Sequence, residues 1–277
     1  MFSTTILKPF GVLIEAKNDL ENLHKINLKK LKNLLYKNHL LILRGFQNFE
    51  SSEKFSQYCA LWGEIALWPF GKVLELKEHK NPKDHIFDNS YVPLHWDGMY
   101  RPQVPELQIF HCALAPEEKT GGETTFSNTV KVLEKSQKKE YKLWSQVTGV
   151  YQRKMDFYHS KTVAPIITKH PTKNFPVIRY CEPPKTGDQS FINHPDLDFT
   201  GIERNQIESF QSNLHKALYH PENFYAHKWQ TGDLVISNNH TLLHGRKAFS
   251  KGSARYLRRV HIIGDTSKTN PHLVSHQ

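Results

Sequence analysis

"LHWDGMY", residues 94–100, sets a histidine and an aspartate two positions apart around a tryptophan, with a glycine directly after. In an extended chain alternate side chains project to the same face. His95 and Asp97 can therefore reach one metal ion together, while Trp96 turns into the packing behind them. Taken alone the spacing is weak evidence, because the chain holds 17 histidines and a shared loop hydrogen bond explains a His–Asp pair equally well. The reading turns on a third partner. The stretch "WQTGDLVISNNHTLLHGRKAFSKGSARYLRRVHI", residues 229–262, supplies His240 and His244 on a second extended segment, followed by a set of arginines. Two histidines and one carboxylate form a facial set that leaves metal positions open and suits non-haem Fe(II) oxygen chemistry. If a 2-oxo acid fills two of those positions, an arginine is needed for its far carboxylate, because a guanidinium grips a carboxylate with two parallel hydrogen bonds.

Outward from these segments the pattern is mainly β with flanking helices. "ILKPFGVLIEA" reads as strand, turn, strand; "DLENLHKINLKKLKNLLYKN" as a helix; "HLLILRG" as an apolar strand; and "SSEKFSQYCALWG" as a helix capped by Ser51 or Ser52 and ended by Gly63. "VPELQIFHCALAP" predicts a strand, "VKVLEKSQKKEYKLWSQV" one helix, and "RNQIESFQSNLHKALYH" another. Strands are expected at "NFYAHKW", "DLVISNN" and "RYLRRVHIIG", with shorter ones at "PVIRYCE" and near "VAPIITKH". Strands at both ends predict one domain over residues 1–277 built on an antiparallel β-core. The irregular segment at about 150–200 reads as a lid inserted over one face, and the tail after Asp265 is expected to fray.

The 277 residues are enough for a substantial core without disulfide or metal staples, and three widely spaced cysteines suit a reducing compartment. No apolar run approaches the length of a membrane span, and "MFSTTILKPF" has neither part of a signal peptide, so a cytoplasmic protein without membrane attachment is expected. The net charge of +10 raises nucleic acid or an anionic partner as candidates. Its lysines, however, are scattered or lie in "LKKLKNLLYKN" and "VLEKSQKKEYK", where helical spacing makes them solvated faces. A nucleic-acid demethylase should show a basic stripe interleaved with aromatics beside the site, and none is present.

The ordered set "LLILRGF", "LWGEI", "LHWDGMY", "GGETTFSN" and "GDLVISNNHTLLHGR", with the arginines that follow, resembles the Fe(II)/2-oxoglutarate dioxygenase superfamily in its taurine dioxygenase-like branch, across nearly the whole chain. The resemblance implies a double-stranded β-helix (jelly-roll) core, Fe(II) and 2-oxoglutarate as cofactors and O₂ as co-substrate. It implies His95, Asp97 and His244 as catalytic iron ligands, with His240 a nearby polar or structural residue. By the same resemblance Thr124 and Arg255 hold the distal carboxylate of 2-oxoglutarate, and Arg259 takes an acidic group of the substrate. Even spacing would set Arg255 and Arg259 on one strand face, a parity that His261 shares. The acid at position 97 argues against a halogenase.

Where taurine-type members carry a sulfonate-binding histidine, "GEIALWPFGKV" reads Trp68, Pro69 and Phe70, which favours an apolar or aromatic substrate. Tyr100, with Met99, Phe157 and Tyr158, is a further candidate for that pocket, although ordinary packing explains any one of them. "PLHWDGMY", "GGETTFSN" and "NNHTLLHGR" together are similar to the dioxygenases of bacterial isonitrile pathways. That similarity implies oxidation, by desaturation or hydroxylation, of a small aromatic carboxylate such as tyrosine isonitrile. Another amino-acid-like or sulfonate substrate, and a non-oxidative metal-binding β-barrel, are the competing readings. His111, His159, His170, His194 and His220 read as surface or hydrogen-bonding residues. The expected partner is a small molecule rather than nucleic acid or membrane, and a homo-oligomer is left open.

Overall fold

The strand β6 (Leu107–Leu114) shows how alternation sorts the core. Leu107 and Ile109 join one apolar cluster with Leu31, Leu35, Phe55 and Tyr58. Phe110 and Cys112 join another with Phe126, Trp229 and Val235. Successive strand side chains leave opposite faces, so a strand apolar on both sides must be covered on both. The computed structural model describes residues 2–17, 21–156, 158–184, 192–264 and 269–276. Within it β6 belongs to a seven-stranded sheet, its strands numbered in chain order and arranged β1 (Phe2–Ile6), β2 (Val12–Ala16), β3 (Leu40–Arg44), β14 (Leu234–Asn238), β6, β16 (Tyr256–Ile262) and β4 (Leu74–Lys77). All its pairings are antiparallel except β2 with β3.

Two helices, α1 (Leu28–Asn38) and α2 (Ser52–Cys59), supply the cover on the outer face. The Asn27 side chain accepts from the Lys30 amide to cap α1, and Ser51 caps α2 through the Lys54 amide. In α1, Leu31 and Leu35 are buried while Lys29, Lys30 and Lys37 are exposed, so the charge run is a solvated face. The inner face packs on a four-stranded antiparallel sheet ordered β13 (Phe224–His227), β7 (Thr124–Asn128), β15 (Leu242–Arg246) and β5 (Val92–His95). Phe126 and Leu242 of this sheet meet Phe110 and Val235 of the larger one in a shared core, the jelly-roll arrangement expected. The far side of the smaller sheet is closed by α3 (Thr129–Lys135), α4 (Lys138–Gln146) and α5 (Arg204–Leu218).

Three expectations are corrected. The stretch 130–147 is two helices rather than one. Ser136 adopts an extended backbone and its hydroxyl donates to the Leu133 carbonyl, while Gln137 and Glu140 form a capping box that starts α4. The segment 150–200, expected to be irregular, carries regular strands among its described residues. It contributes to a sheet of β12 (Asp196–Thr200), β8 (Thr148–Met155), β9 (Tyr158–Pro165) and β17 (Leu273–His276), and to the pair β10 (Ile167–Lys169) and β11 (Pro176–Ile178). The tail expected to fray after Asp265 instead returns as β17 against β9, although residues 265–268 lie outside the described residues. All three cysteines are buried and free, and no helix among the described residues is long and apolar enough to cross a membrane.

Candidate active site

β5 forms the edge of the smaller sheet, and its last residue, His95, pairs directly with His244 of β15. Asp97 lies just beyond the strand, in the turn, rather than on the extended segment the spacing suggested. Asn239 holds it there: its side-chain oxygen accepts from the Asp97 amide and its side-chain nitrogen donates to the Asp97 carbonyl, both at 2.9 Å. Gly98 completes the turn at φ +92°, where a Cβ would come within 2.5 Å of Pro105, so both conformation and space call for glycine. Trp96 is buried as expected, under the Arg179 guanidinium at 5.1 Å.

The result is a cluster in which one ligand atom from each of His95, Asp97 and His244 lies within 4.8 Å of the others. His95 Nδ1 sits 2.9 Å from the Pro93 carbonyl, to which it donates, leaving Nε2 as the lone-pair nitrogen 3.7 Å from Asp97 Oδ1. The other carboxylate oxygen, Oδ2, is engaged by Gln108 Nε2, by His261 Nε2 at 2.7 Å and by Arg259 Nη1 at 3.0 Å. Ser237 in turn donates to Gln108 Oε1. Burial drives both ligand imidazoles below the ordinary histidine range. Burial pushes the Asp97 carboxyl up, but Arg259, His261 and His244 outweigh it and hold it well below its ordinary value. Two neutral imidazoles and one carboxylate are the donor set a divalent metal requires. His240 is not among them; it packs edge-on against His170, ring centroids 5.3 Å apart.

Beside His95 and Asp97 opens a cavity of about 190 Å³. Trp68, Tyr100 and Arg259, all singled out from the sequence, line it together with Met99 and Tyr158; Phe157 lies outside the described residues. Trp68 stacks on Phe70 at 5.5 Å and carries the Arg101 guanidinium at 4.5 Å, while Tyr100 stacks on Tyr158 at 6.0 Å. His194, read from the sequence as a surface or hydrogen-bonding residue, also lines this cavity.

Thr124 and Arg255 do not line the cavity. Arg259 lies over the Phe110 ring at 5.9 Å and Arg255 over the Phe249 ring at 5.6 Å. Arg255 Nε donates to the Gly122 carbonyl at 2.9 Å, two residues before Thr124, and Thr124 Oγ1 accepts from Trp229 Nε1 at 3.1 Å. Gly122 leaves room for this: a Cβ there would lie 2.9 Å from Arg255 Cδ. Arg255 is only 4% exposed and no carboxylate among the described residues pairs with it; burial lowers its pKa to about 9. A buried cation without an anion is costly, which makes this a ready position for a ligand carboxylate.

Gln108, Asn239 and Arg246 carried no signal in the sequence. Arg246 donates to the carbonyls of His85, Ile86, Asp88 and Ser90 at 2.6–3.1 Å, tying the segment 85–90, whose residues 85–87 line the cavity, to the strand that bears His244. Parity along β16 was the one available hint for His261.

The model of the taurine catabolism dioxygenase TauD, TfdA family matches residues 7–261. A tyrosine isonitrile desaturase of Pseudomonas aeruginosa is 47% identical over 264 residues, covering 95% of this chain and 91% of its own. A second tyrosine isonitrile desaturase, from Erwinia amylovora, is 47% identical over 265 residues, covering 96% and 91%. The solved structure of PvcB, an Fe, alpha-ketoglutarate dependent oxygenase from an isonitrile synthetic pathway, superposes with a TM-score of 0.84 at 42% identity, covering 99% of this chain and 96% of that one. With its two-sheet core, its clustered histidines and aspartate and a family match over most of its length, the chain belongs to the TauD/TfdA family of dioxygenases.

Proposed function

We propose that this protein is an Fe(II)- and 2-oxoglutarate-dependent oxygenase that desaturates tyrosine isonitrile, and that His95, Asp97 and His244 are its iron ligands. The observation that carries the reading is the approach of those three ligand atoms to within 4.8 Å, with His95 and Asp97 in the wall of an aromatic cavity. The residues fit the metal. His95 offers Nε2 because Nδ1 is committed to Pro93, and Asp97 offers Oδ1 because Oδ2 is committed to Gln108, His261 and Arg259. Fe(II), when bound with 2-oxoglutarate and O₂, would supply the oxidant that removes two hydrogens from the substrate as water, with one oxygen atom of O₂, while the other enters succinate as 2-oxoglutarate loses CO₂.

The chain's own residues bind and orient. Arg255, a buried cation with no acidic partner among the described residues, and Thr124 receive the distal carboxylate of 2-oxoglutarate. Arg259 receives the substrate carboxylate, since the charge of Asp97 that it faces is committed to the metal. Trp68, Met99, Tyr100 and Tyr158 enclose the aromatic ring and exclude water. The strands of the 150–200 segment act as a lid over this cavity, to which they contribute Arg153, Met155 and Tyr158. The name shared by two relatives at 47% identity supports desaturation over hydroxylation.

The test is succinate formation by Fe(II)-loaded protein given 2-oxoglutarate and O₂, with and without tyrosine isonitrile, beside His95→Ala. Expected are substrate-stimulated turnover, a product lighter by two hydrogens, and no turnover in the variant. A product heavier by one oxygen would make the enzyme a hydroxylase. Absence of stimulation by tyrosine isonitrile would remove it as the substrate.

A further inference from the structure

The outer edge of β5, next to the metal ligand His95, is closed by one residue of the segment after β11. The Glu182 amide donates to the Leu94 carbonyl at 2.9 Å, and the Leu94 amide donates to Glu182 Oε2 at 3.2 Å. Leu94 is fully buried and Glu182 is 8% exposed, so both bonds lie out of water. Tyr219, at the end of α5, donates its hydroxyl to the same Oε2 at 2.8 Å, and His215 Nδ1, one turn earlier, lies 2.5 Å from Oε1. Glu182 also borders the substrate cavity, which three guanidinium groups line. Arg259 pairs with Asp97, Arg153 pairs with Asp84, and Arg101 lies over the Trp68 ring; none of the three pairs with Glu182. Its one basic partner among the described residues is His215, whose side chain is 51% exposed.

The peptide unit between Pro93 and Leu94 connects this carboxylate to the metal site. Its N–H points to Glu182, and its C=O, on the opposite side of the trans unit, accepts from His95 Nδ1 at 2.9 Å. The two bonds run in series, imidazole N–H to carbonyl and amide N–H to carboxylate. Hydrogen bonds aligned through one amide polarise each other, so an anion at the N–H makes the carbonyl a stronger acceptor. An imidazole whose Nδ1–H is held more strongly is a more basic ligand at Nε2, an effect that ligand histidines ordinarily receive from a carboxylate or carbonyl in direct contact. A neutral carbonyl would satisfy an edge N–H equally well, and burying a carboxylate costs more, so closing the strand does not by itself call for Glu182. We propose that Glu182 is a positioning residue of the metal site, orienting His95 and raising its basicity through the Pro93–Leu94 peptide. This rests on the reading of His95 as an iron ligand and names how the same site is tuned.

The experiment compares the wild type with Glu182→Gln and Tyr219→Phe by two readouts. One is the proton resonance of the His95 Nδ1–H in the Zn(II)-loaded protein, and the other is calorimetric affinity for Mn(II). Glu182→Gln keeps an acceptor for the Leu94 amide and removes the charge. It should move the resonance upfield and weaken Mn(II) binding by about threefold to tenfold, less than the roughly 10- to 100-fold cost of losing a direct outer contact. Tyr219→Phe keeps the charge and removes a competing donor from Oε2, so the Leu94 amide meets a stronger acceptor. The resonance should then move downfield, with Mn(II) affinity at or above wild type.

Opposite displacements in the two variants support the assignment. A displacement of both in one direction overturns it, because a residue that only props the strand would disturb His95 alike in each. Unchanged resonance and affinity in Glu182→Gln also overturn it and leave the proposed reaction standing. If Glu182→Gln does not fold, Tyr219→Phe decides alone, a downfield shift supporting the assignment and any other result overturning it. If the wild type binds neither Zn(II) nor Mn(II), it is the iron-ligand reading that has failed, and the role of Glu182 falls with it.

Discussion

His95 and His244 are directly paired residues on neighbouring antiparallel strands, their ring centroids 4.2 Å apart, although one ends an edge strand early in the chain and the other lies near its end. Register alone brings the two imidazoles together, and Asn239, in the turn between β14 and β15, adds Asp97 to them.

Removing either paired imidazole should therefore abolish metal retention without opening the sheet, because the strands are held by backbone bonds. His244→Ala is expected to weaken binding of Fe(II), or of Mn(II) in its place, by more than about a hundredfold. Calorimetry gives the affinity, and a thermal midpoint close to wild type would show that the loss is local.

Gln108 Nε2 donates to Asp97 Oδ2, so Gln108 should act on metal binding through Asp97 by leaving Oδ1 to be presented. Gln108→Leu keeps the volume and removes the donor. Metal affinity should fall by roughly 10- to 100-fold, the usual cost of losing an outer hydrogen bond to a ligand. A wild-type affinity in this variant would mean that His261 and Arg259 suffice to orient the carboxylate.

Arg255→Met should separate cosubstrate binding from stability. As a buried cation without an acidic partner among the described residues, Arg255 opposes folding, so Arg255→Met should raise the stability of the substrate-free protein, by about 1 kcal/mol or more. The same change should raise KM for 2-oxoglutarate by on the order of a hundredfold, through loss of a buried charge pair in the complex. Denaturant unfolding and succinate assays read the two effects, which have opposite signs only if Arg255 awaits a ligand anion.

Asp233 predicts an acid-sensitive contact far from the metal. Its carboxylate accepts from Arg44 Nε and Nη2 at 2.8 and 2.7 Å and from His227 Nε2 at 3.0 Å. Burial pushes its pKa up, but the hydrogen bonds from Arg44 and His227 outweigh that and hold it below the ordinary carboxylate range. A depressed folded pKa contributes stability that is complete above the unfolded value of about 4 and is lost as the pH falls through the folded one. Asp233→Asn should cost about 3 kcal/mol at pH 7, and its difference from wild type should close below about pH 4 in pH-dependent unfolding.

What the sequence determined about this protein was what local spacing and family motifs can encode. A period of two in strands, helical spacing in α1, and the order of His95, Asp97, His244, Arg255 and Arg259 are properties of neighbours along the chain, and each was legible there. Trp68 and Tyr100 were legible as well, because the loops that carry them have recognisable places in the motif order. The break between α3 and α4 left a weaker trace, since Ser136 and Gln137 can sit inside a helix or end one, and packing against the smaller sheet decides which. Only the tertiary structure decided that Gln108 meets Asp97, that Arg246 clamps residues 85–90, and that Arg153 and Asp84 meet in the cavity wall. Those partners lie far apart in sequence and are joined by strand register and side-chain hydrogen bonds, which leave no periodic mark on the chain.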